Sequence, residues 1–278
     1  MNAFLNSCLT FLAILGAIYL ATIALYFTLG FGITWFNARN PDRRIQKARS
    51  GDRRKKLEIR QSVVSLFVTS ASVAIGVFVQ YEGWAWTPWE LSLWNAVPLF
   101  LLTMVLYDTW FYFAHRLLHT KYLYRFHKLH HRSVAPTPWS VDSNDLVDQA
   151  LSHGFYAVIV FFVPLPPLLL LANRALEQIT GTFGHAGFEY FASPTSRSPS
   201  PMLCTTFHDQ HHSGFRHNFA NYFSFWDRLL GTISPDYDRC VQAVESTSAR
   251  LSFRRGQIEQ TRVEFDQGAS HIESPQRL

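Results

Sequence analysis

Apolar residues fall in four long blocks, and the polar residues between them sort by charge. From Cys8 to Phe36 there is no charged residue. A helix rises about 1.5 Å per residue, and about 20 apolar residues cross the hydrocarbon core. This run therefore reads as a span with some tilt. It is too long for a signal-peptide core, no basic segment precedes it and no small-x-small site follows, so a retained anchor is expected. A second run, Ser62 to Gln80, returns, and a third, about Leu91 to Ala114, crosses again. The fourth, "GFYAVIVFFVPLPPLLLLA", is broken by Pro164, Pro166 and Pro167. Proline removes a backbone donor and breaks a helix, so a hairpin with "PLPP" near its tip is expected. Each arm of about 14 residues reaches about 21 Å, which predicts only a partial crossing.

Charge orients these runs. Residues 37–60 hold ten Lys or Arg against three acids, a balance of +7. A short basic loop between two spans belongs on the cytoplasmic side. The return connection "YEGWAWTPWELSLW" has no Lys or Arg and four tryptophans, which favour the far interface. The third run then travels inward and ends at His115, where Arg116, Lys121, Arg125, Lys128 and Arg132 agree with a cytoplasmic exit. The composition fits: 48% hydrophobic and 16% charged residues, against about a quarter charged in soluble domains. The net charge of +5 sits mostly in the one loop and is a topology signal, so no nucleic-acid partner is expected. Cys8, Cys204 and Cys240 are too few and scattered for a disulfide framework or a zinc ribbon. The fold class expected is all-α: an integral membrane bundle of about four spans with a histidine-rich helical cap on the cytosolic side.

That cap carries the candidate chemistry. His115 and His119 form His-x-x-x-His; His127, His130 and His131 form His-x-x-His-His; His208, His211 and His212 repeat that spacing; His185 stands in "GTFGHAGFEYF". Residues three and four apart share a helix face, so each cluster is expected to point its rings in one direction. Neutral imidazole is a common metal ligand. Nine histidines are too many for one ion and suit two, which points to a dimetal centre. Single histidines are more often satisfied core or surface residues. His153, at the start of the hairpin, and His271, in the polar tail, are read so. His217, close to the last cluster, is a candidate ligand or a donor to a ligand's other ring nitrogen, the second being favoured. A zincin needs His-Glu-x-x-His, and position 116 is Arg. Haem and zinc-transport sites would place ligands within the spans, which lack them.

The segments "HRLLH", "HKLHH" and "HDQHH", followed by "NFANYFSFWDRLLGT", resemble the fatty acid hydroxylase and sterol desaturase superfamily of integral-membrane di-iron oxygenases. The resemblance covers roughly residues 95–235 and implies a catalytic domain over 95–240. An N-terminal membrane anchor precedes it over 1–94, and a polar tail, expected to be disordered, follows over 241–278. It implies that His115, His119, His127, His130, His131, His208, His211 and His212 ligate two iron ions, with His185 as the histidine carried between the last two clusters. Where some members hold a second histidine four residues on, this chain has Glu189, a carboxylate able to ligate iron or to hold a ligand's ring nitrogen. Asp108 lies two turns before His115 on the same helix and is read as support for the ligands or as a buried acid satisfied by a neighbouring helix.

The function implied is dioxygen-dependent hydroxylation, or desaturation, of a membrane lipid such as a sterol, sphingolipid, fatty acyl chain or aminolipid, hydroxylation being preferred. Trp139, Phe183, Phe188, Tyr190 and Phe191 are aromatic candidates to line the lipid slot. Electrons are expected from outside, from a small cytochrome b or a ferredoxin with its reductase. The alternative from another class is a non-redox zinc or structural membrane metalloprotein that keeps the cluster. No C-terminal retrieval signal is evident, so a bacterial inner membrane and an ER membrane both stay open, the first being favoured by the short, fusion-free chain.

Overall fold

The computed structural model describes residues 2–247; His271 and the tail from 248 onward lie outside the described residues. Three helices are long and apolar enough to cross a membrane: α1 (Asn2–Arg39), α2 (Lys55–Tyr81) and α3 (Leu93–Leu118). They take up the first three apolar runs, and the protein is a multi-pass membrane protein. α1 and α2 lie side by side, tied by Tyr19 donating to the Val63 carbonyl at 2.9 Å and by Ser7 donating to Glu82 at 2.9 Å. α3 starts on a reciprocal cap: Ser92 Oγ accepts from the Asn95 N–H, and Asn95 Oδ1 accepts from the Ser92 N–H. This satisfies two of the donors that a helix start leaves open.

The fourth block folds as a hairpin. Its inward arm is α5 (Leu146–His153), α6 (Phe155–Val158) and a 3₁₀ turn, and its return arm is α7 (Pro167–Gly184). Proline ends one arm and opens the other, because a missing N–H costs nothing at a helix start. The tip reaches the tryptophan loop. Trp86 Nε1 donates to the Phe161 carbonyl at 2.8 Å, and the Trp89 N–H donates to the Pro164 carbonyl at 3.0 Å. The hairpin thus runs the full depth of the bundle, farther than its apolar length predicts. The reason is that α7 continues past its apolar residues through buried Asn173, Arg174, Glu177 and Gln178, whose polar groups find partners on neighbouring elements. α2 makes room by lining its buried face with Ser62, Ser65, Thr69, Ser70 and Ser72. At Gly76 a Cβ would come within 2.3 Å of the Tyr156 carbonyl oxygen, so only glycine lets α6 approach.

Beyond these helices lies the histidine-bearing cap: α4 (Tyr124–His127), a 3₁₀ turn at His130–Arg132, α8 (Thr205–Gly214) and α9 (Phe225–Leu229). Among the described residues there is no β-strand, only two isolated bridges. Tyr112, Phe207, Phe219, Tyr237 and Val241 form the cap's apolar core. Helix continues over 237–247, so 241–247, the beginning of the tail expected to be disordered, is helical. Val241, fully buried in that core, accounts for it.

The basic loop is built into the cap. Arg49 pairs with Asp209 of α8 at 2.6 Å, Gln46 donates to the same carboxylate at 2.9 Å, and the Ile45 N–H donates to the Gly187 carbonyl at 3.1 Å. Loop and histidines therefore share one side of the bundle.

Candidate metal centre

All nine predicted histidines meet, in two groups. His115, His119, His127, His131 and His211 present ring nitrogens within 4.8 Å of one another, and so do His130, His185, His208 and His212. Both His-x-x-His-His motifs divide between the groups, unlike the single direction expected of each. His130 parts from His131, and His211 parts from His212. Successive helical residues differ by about 100° around the axis, so a His-His pair cannot serve one point. Residues four apart can: His115 and His119 stay together, as do His208 and His212. The motif is a device for feeding two sites from one turn.

Ring orientation shows what each group would hold. His115 Nδ1 lies 2.8 Å from the Phe219 carbonyl, His127 Nδ1 2.7 Å from Asp148, His185 Nδ1 2.8 Å from the Gly181 carbonyl and His211 Nδ1 2.7 Å from the His217 carbonyl. A ring nitrogen facing an acceptor carries the proton, so the Nε2 of each is a bare lone pair. Those Nε2 atoms face other Nε2 atoms: His115 and His127 at 3.1 Å, His211 and His131 at 3.1 Å, His185 and His208 at 3.2 Å. His115 and His127 both place Nδ1 on an acceptor, so theirs are two bare acceptors, which at such a distance repel unless a cation lies between them. Nitrogens sharing an ion at about 2.1 Å are separated by about 3.0 Å at a right angle and about 3.4 Å at a tetrahedral angle. The observed Nε2 pairs span 3.0 to 3.4 Å. The donor set fits two metal ions.

Burial keeps these rings neutral. It holds His119 down at about 3, with His127 beside it adding to the effect, and His185 at about 4. Burial likewise pushes His130, His131, His208, His211 and His212 well below the usual histidine value. A neutral imidazole is the ligand form.

The remaining candidates lie outside both groups. Glu189 is buried with both oxygens occupied: one accepts from the Phe191 and Ala192 N–H groups, the other from the Thr206 N–H and hydroxyl. It anchors the start of α8. His217 contributes its main-chain carbonyl to His211 rather than its ring. Asp108 accepts from the N–H groups of Asn221, Tyr222 and Phe223 at 3.0, 2.6 and 3.4 Å. It thereby holds the loop whose Phe219 carbonyl orients His115. Asp148, absent from the sequence candidates, left no distinct signal, since it shares its short helix with polar Gln149, Ser152 and His153.

A cavity of about 740 Å³ adjoins the histidines, with Met104, Phe111, Phe183, Phe191 and Phe207 among its walls. Of the five aromatic candidates only Phe183 and Phe191 line it. Trp139 packs instead on α1, where a Cβ at Gly30 would fall 2.6 Å from its ring, and its carbonyl accepts from Tyr26. Tyr190 donates to Asn37, and Phe188 bridges to Arg44.

Residues 100–232 match the family model described as Fatty acid hydroxylase. This segment belongs to the fatty acid hydroxylase and sterol desaturase superfamily. The chain is 37% identical over 134 residues to a methylsterol monooxygenase 1 of Gallus gallus, covering 47% of this chain and 44% of that protein. It is 31% identical over 137 residues to a Delta(7)-sterol 5(6)-desaturase of Gibberella zeae, covering 49% and 36%. It is 33% identical over 153 residues to a cholesterol 25-hydroxylase of Rattus norvegicus, covering 52% and 51%. The chain spans about half the length or less of these curated relatives. No solved structure matches it.

Proposed function

We propose that this chain is a membrane-bound lipid oxygenase holding two irons, one in each histidine group. The observation that carries the reading is the convergence of nine histidine ring nitrogens in two adjoining groups, with bare Nε2 lone pairs facing each other at His115 and His127, at the wall of a largely apolar cavity. His115, His119, His127, His131 and His211 would hold one ion, and His130, His185, His208 and His212 the other. Iron bound there would supply the dioxygen chemistry that takes hydrogen from an unactivated C–H bond.

The chain's own part is orientation and exclusion of water. Asp148 and the carbonyls of Gly181, His217 and Phe219 fix the proton on Nδ1 and aim Nε2 inward, which raises ligand basicity. Met104, Phe111 and Phe207 give the substrate a dry wall. A lipid substrate is supported by the cavity's position in a membrane bundle and by the relatives, which are named as sterol oxygenases and a sterol desaturase. Hydroxylation is the reaction we favour. An external donor, a small cytochrome b or a ferredoxin with its reductase, would supply electrons. The Arg49–Asp209 pair joins the cap to the basic loop, which supports placing the site on the cytosolic face of an inner membrane by charge bias.

Lipid profiles of cells expressing the chain or its His130→Ala variant test the reading. A lipid heavier by one oxygen, drawn from labelled dioxygen, is expected with the former and not with the inserted variant. Equal products from both would overturn it.

A further inference from the structure

The histidine groups present a second face besides the one on the cavity. The cavity touches His115, His127, His130, His185 and His208, while His119, His131, His211 and His212 are not on its wall. His119 is the half-buried member of its group. The partly exposed rings of Tyr124 and Phe215 stand over this side. Tyr124 lies 5.7 Å from His119 and 6.2 Å from His131, and Phe215 lies 4.9 Å from His131, centroid to centroid. Cations rim the two rings. Lys121, Arg125, Lys128 and Arg132 recur at steps of four, three and four along successive helical turns, so they share the outer side. All four are exposed, as is Arg216 next to Phe215. Among the described residues none of the five forms an ion pair, and no Asp or Glu occurs between Asp108 and Asp142. Membrane topology counts such charges but does not require them to share a side.

Resting on the lipid-oxygenase reading, we propose that this outer face is where an acidic one-electron carrier protein docks, over Tyr124 and Phe215 and within the rim of Lys121, Arg125, Lys128, Arg132 and Arg216. Aromatic rings at the centre with charge at the edge are the make-up of a protein–protein contact. An uncompensated patch of one sign steers a partner of the other. The division of faces lets lipid fill the cavity while carriers come and go elsewhere on the cap. Each carrier leaves oxidised by one electron. Hydroxylation of one C–H bond takes one dioxygen, two electrons and two protons; one oxygen enters the lipid and the other leaves as water. Two encounters therefore serve each turnover.

Equilibrium binding to the full chain in nanodiscs of zwitterionic lipid tests this. The probes are an acidic cytochrome b haem domain and an acidic two-iron ferredoxin, with a basic cytochrome c as control. At least one acidic carrier is expected to bind, about tenfold more weakly at about 0.5 M salt than at about 0.05 M, and more tightly than the basic control. Combining Arg125→Gln, Lys128→Gln and Arg132→Gln should weaken that binding about tenfold. Removing equal charge from the basic loop, with Arg53→Gln, Lys56→Gln and Arg60→Gln, should change it less than about threefold. In iron-loaded chains the prereduced carrier should reduce the first triple variant about tenfold more slowly than the parent, with dithionite reducing both alike. No binding of either acidic carrier, equal or tighter binding of the basic control, equal losses in the two triple variants, or unslowed reduction would overturn the proposal. So would carrier binding that holds while the anionic phospholipid copurifying with the chain falls, which would give these cations to lipid headgroups. Iron counted on the same preparations judges the oxygenase reading separately, since carrier binding that depends on Arg125, Lys128 and Arg132 without iron would sink that reading alone.

Discussion

His127 and Asp148, 21 residues apart, meet at 2.7 Å with the imidazole Nδ1–H on the carboxylate, both side chains buried. No carbonyl could supply as much negative charge to a ligand ring. Asp148→Asn keeps an acceptor and removes that charge. Iron retention against a competing chelator should fall about tenfold or more. Unchanged retention would reduce Asp148 to a packing role.

Asp108 connects the membrane helix to the cap. One of its oxygens serves three N–H groups of the loop following Phe219. Asp108→Ala should lower stability by about 2 kcal/mol, about 5 °C in a detergent melting experiment, and loosen His115. Asp108→Asn, which still offers a carbonyl oxygen there, should lose much less. Equal losses in the two variants would mean that the hydrogen bonds do not matter.

Arg49 and Asp209 tie the basic loop to α8, with side chains 29% and 9% exposed. A double-mutant cycle with Arg49→Gln and Asp209→Asn should show coupling of about 1 kcal/mol. Additive losses would return Arg49 to a purely topological role.

How far the sequence was legible depended on the range of the interaction. α1, α2 and α3 were readable because a span writes its apolar length directly into the chain. The hairpin was readable at Pro164, Pro166 and Pro167, but its depth was not. Arg174 and Glu177 look like the end of an apolar run until their partners on other elements are known. The nine histidines were readable as a set because their spacing repeats. Their division into five and four follows from helical period, which sets His211 and His212 on different sides of one turn. The carbonyls of Gly181, His217 and Phe219 left no sequence signal, since any residue offers one. His153 looked like a lone interfacial histidine, because its neighbour Glu177 comes from 24 residues downstream.

The central claim is that two histidine groups hold two irons. Elemental analysis of the full chain, purified from iron-supplemented cells, tests it most directly when done beside His211→Ala and His212→Ala, one variant for each group. The account predicts about two irons per chain and loss of about one in each variant. One iron or none in the parent chain, zinc in iron's place, or both irons retained in either variant would contradict it.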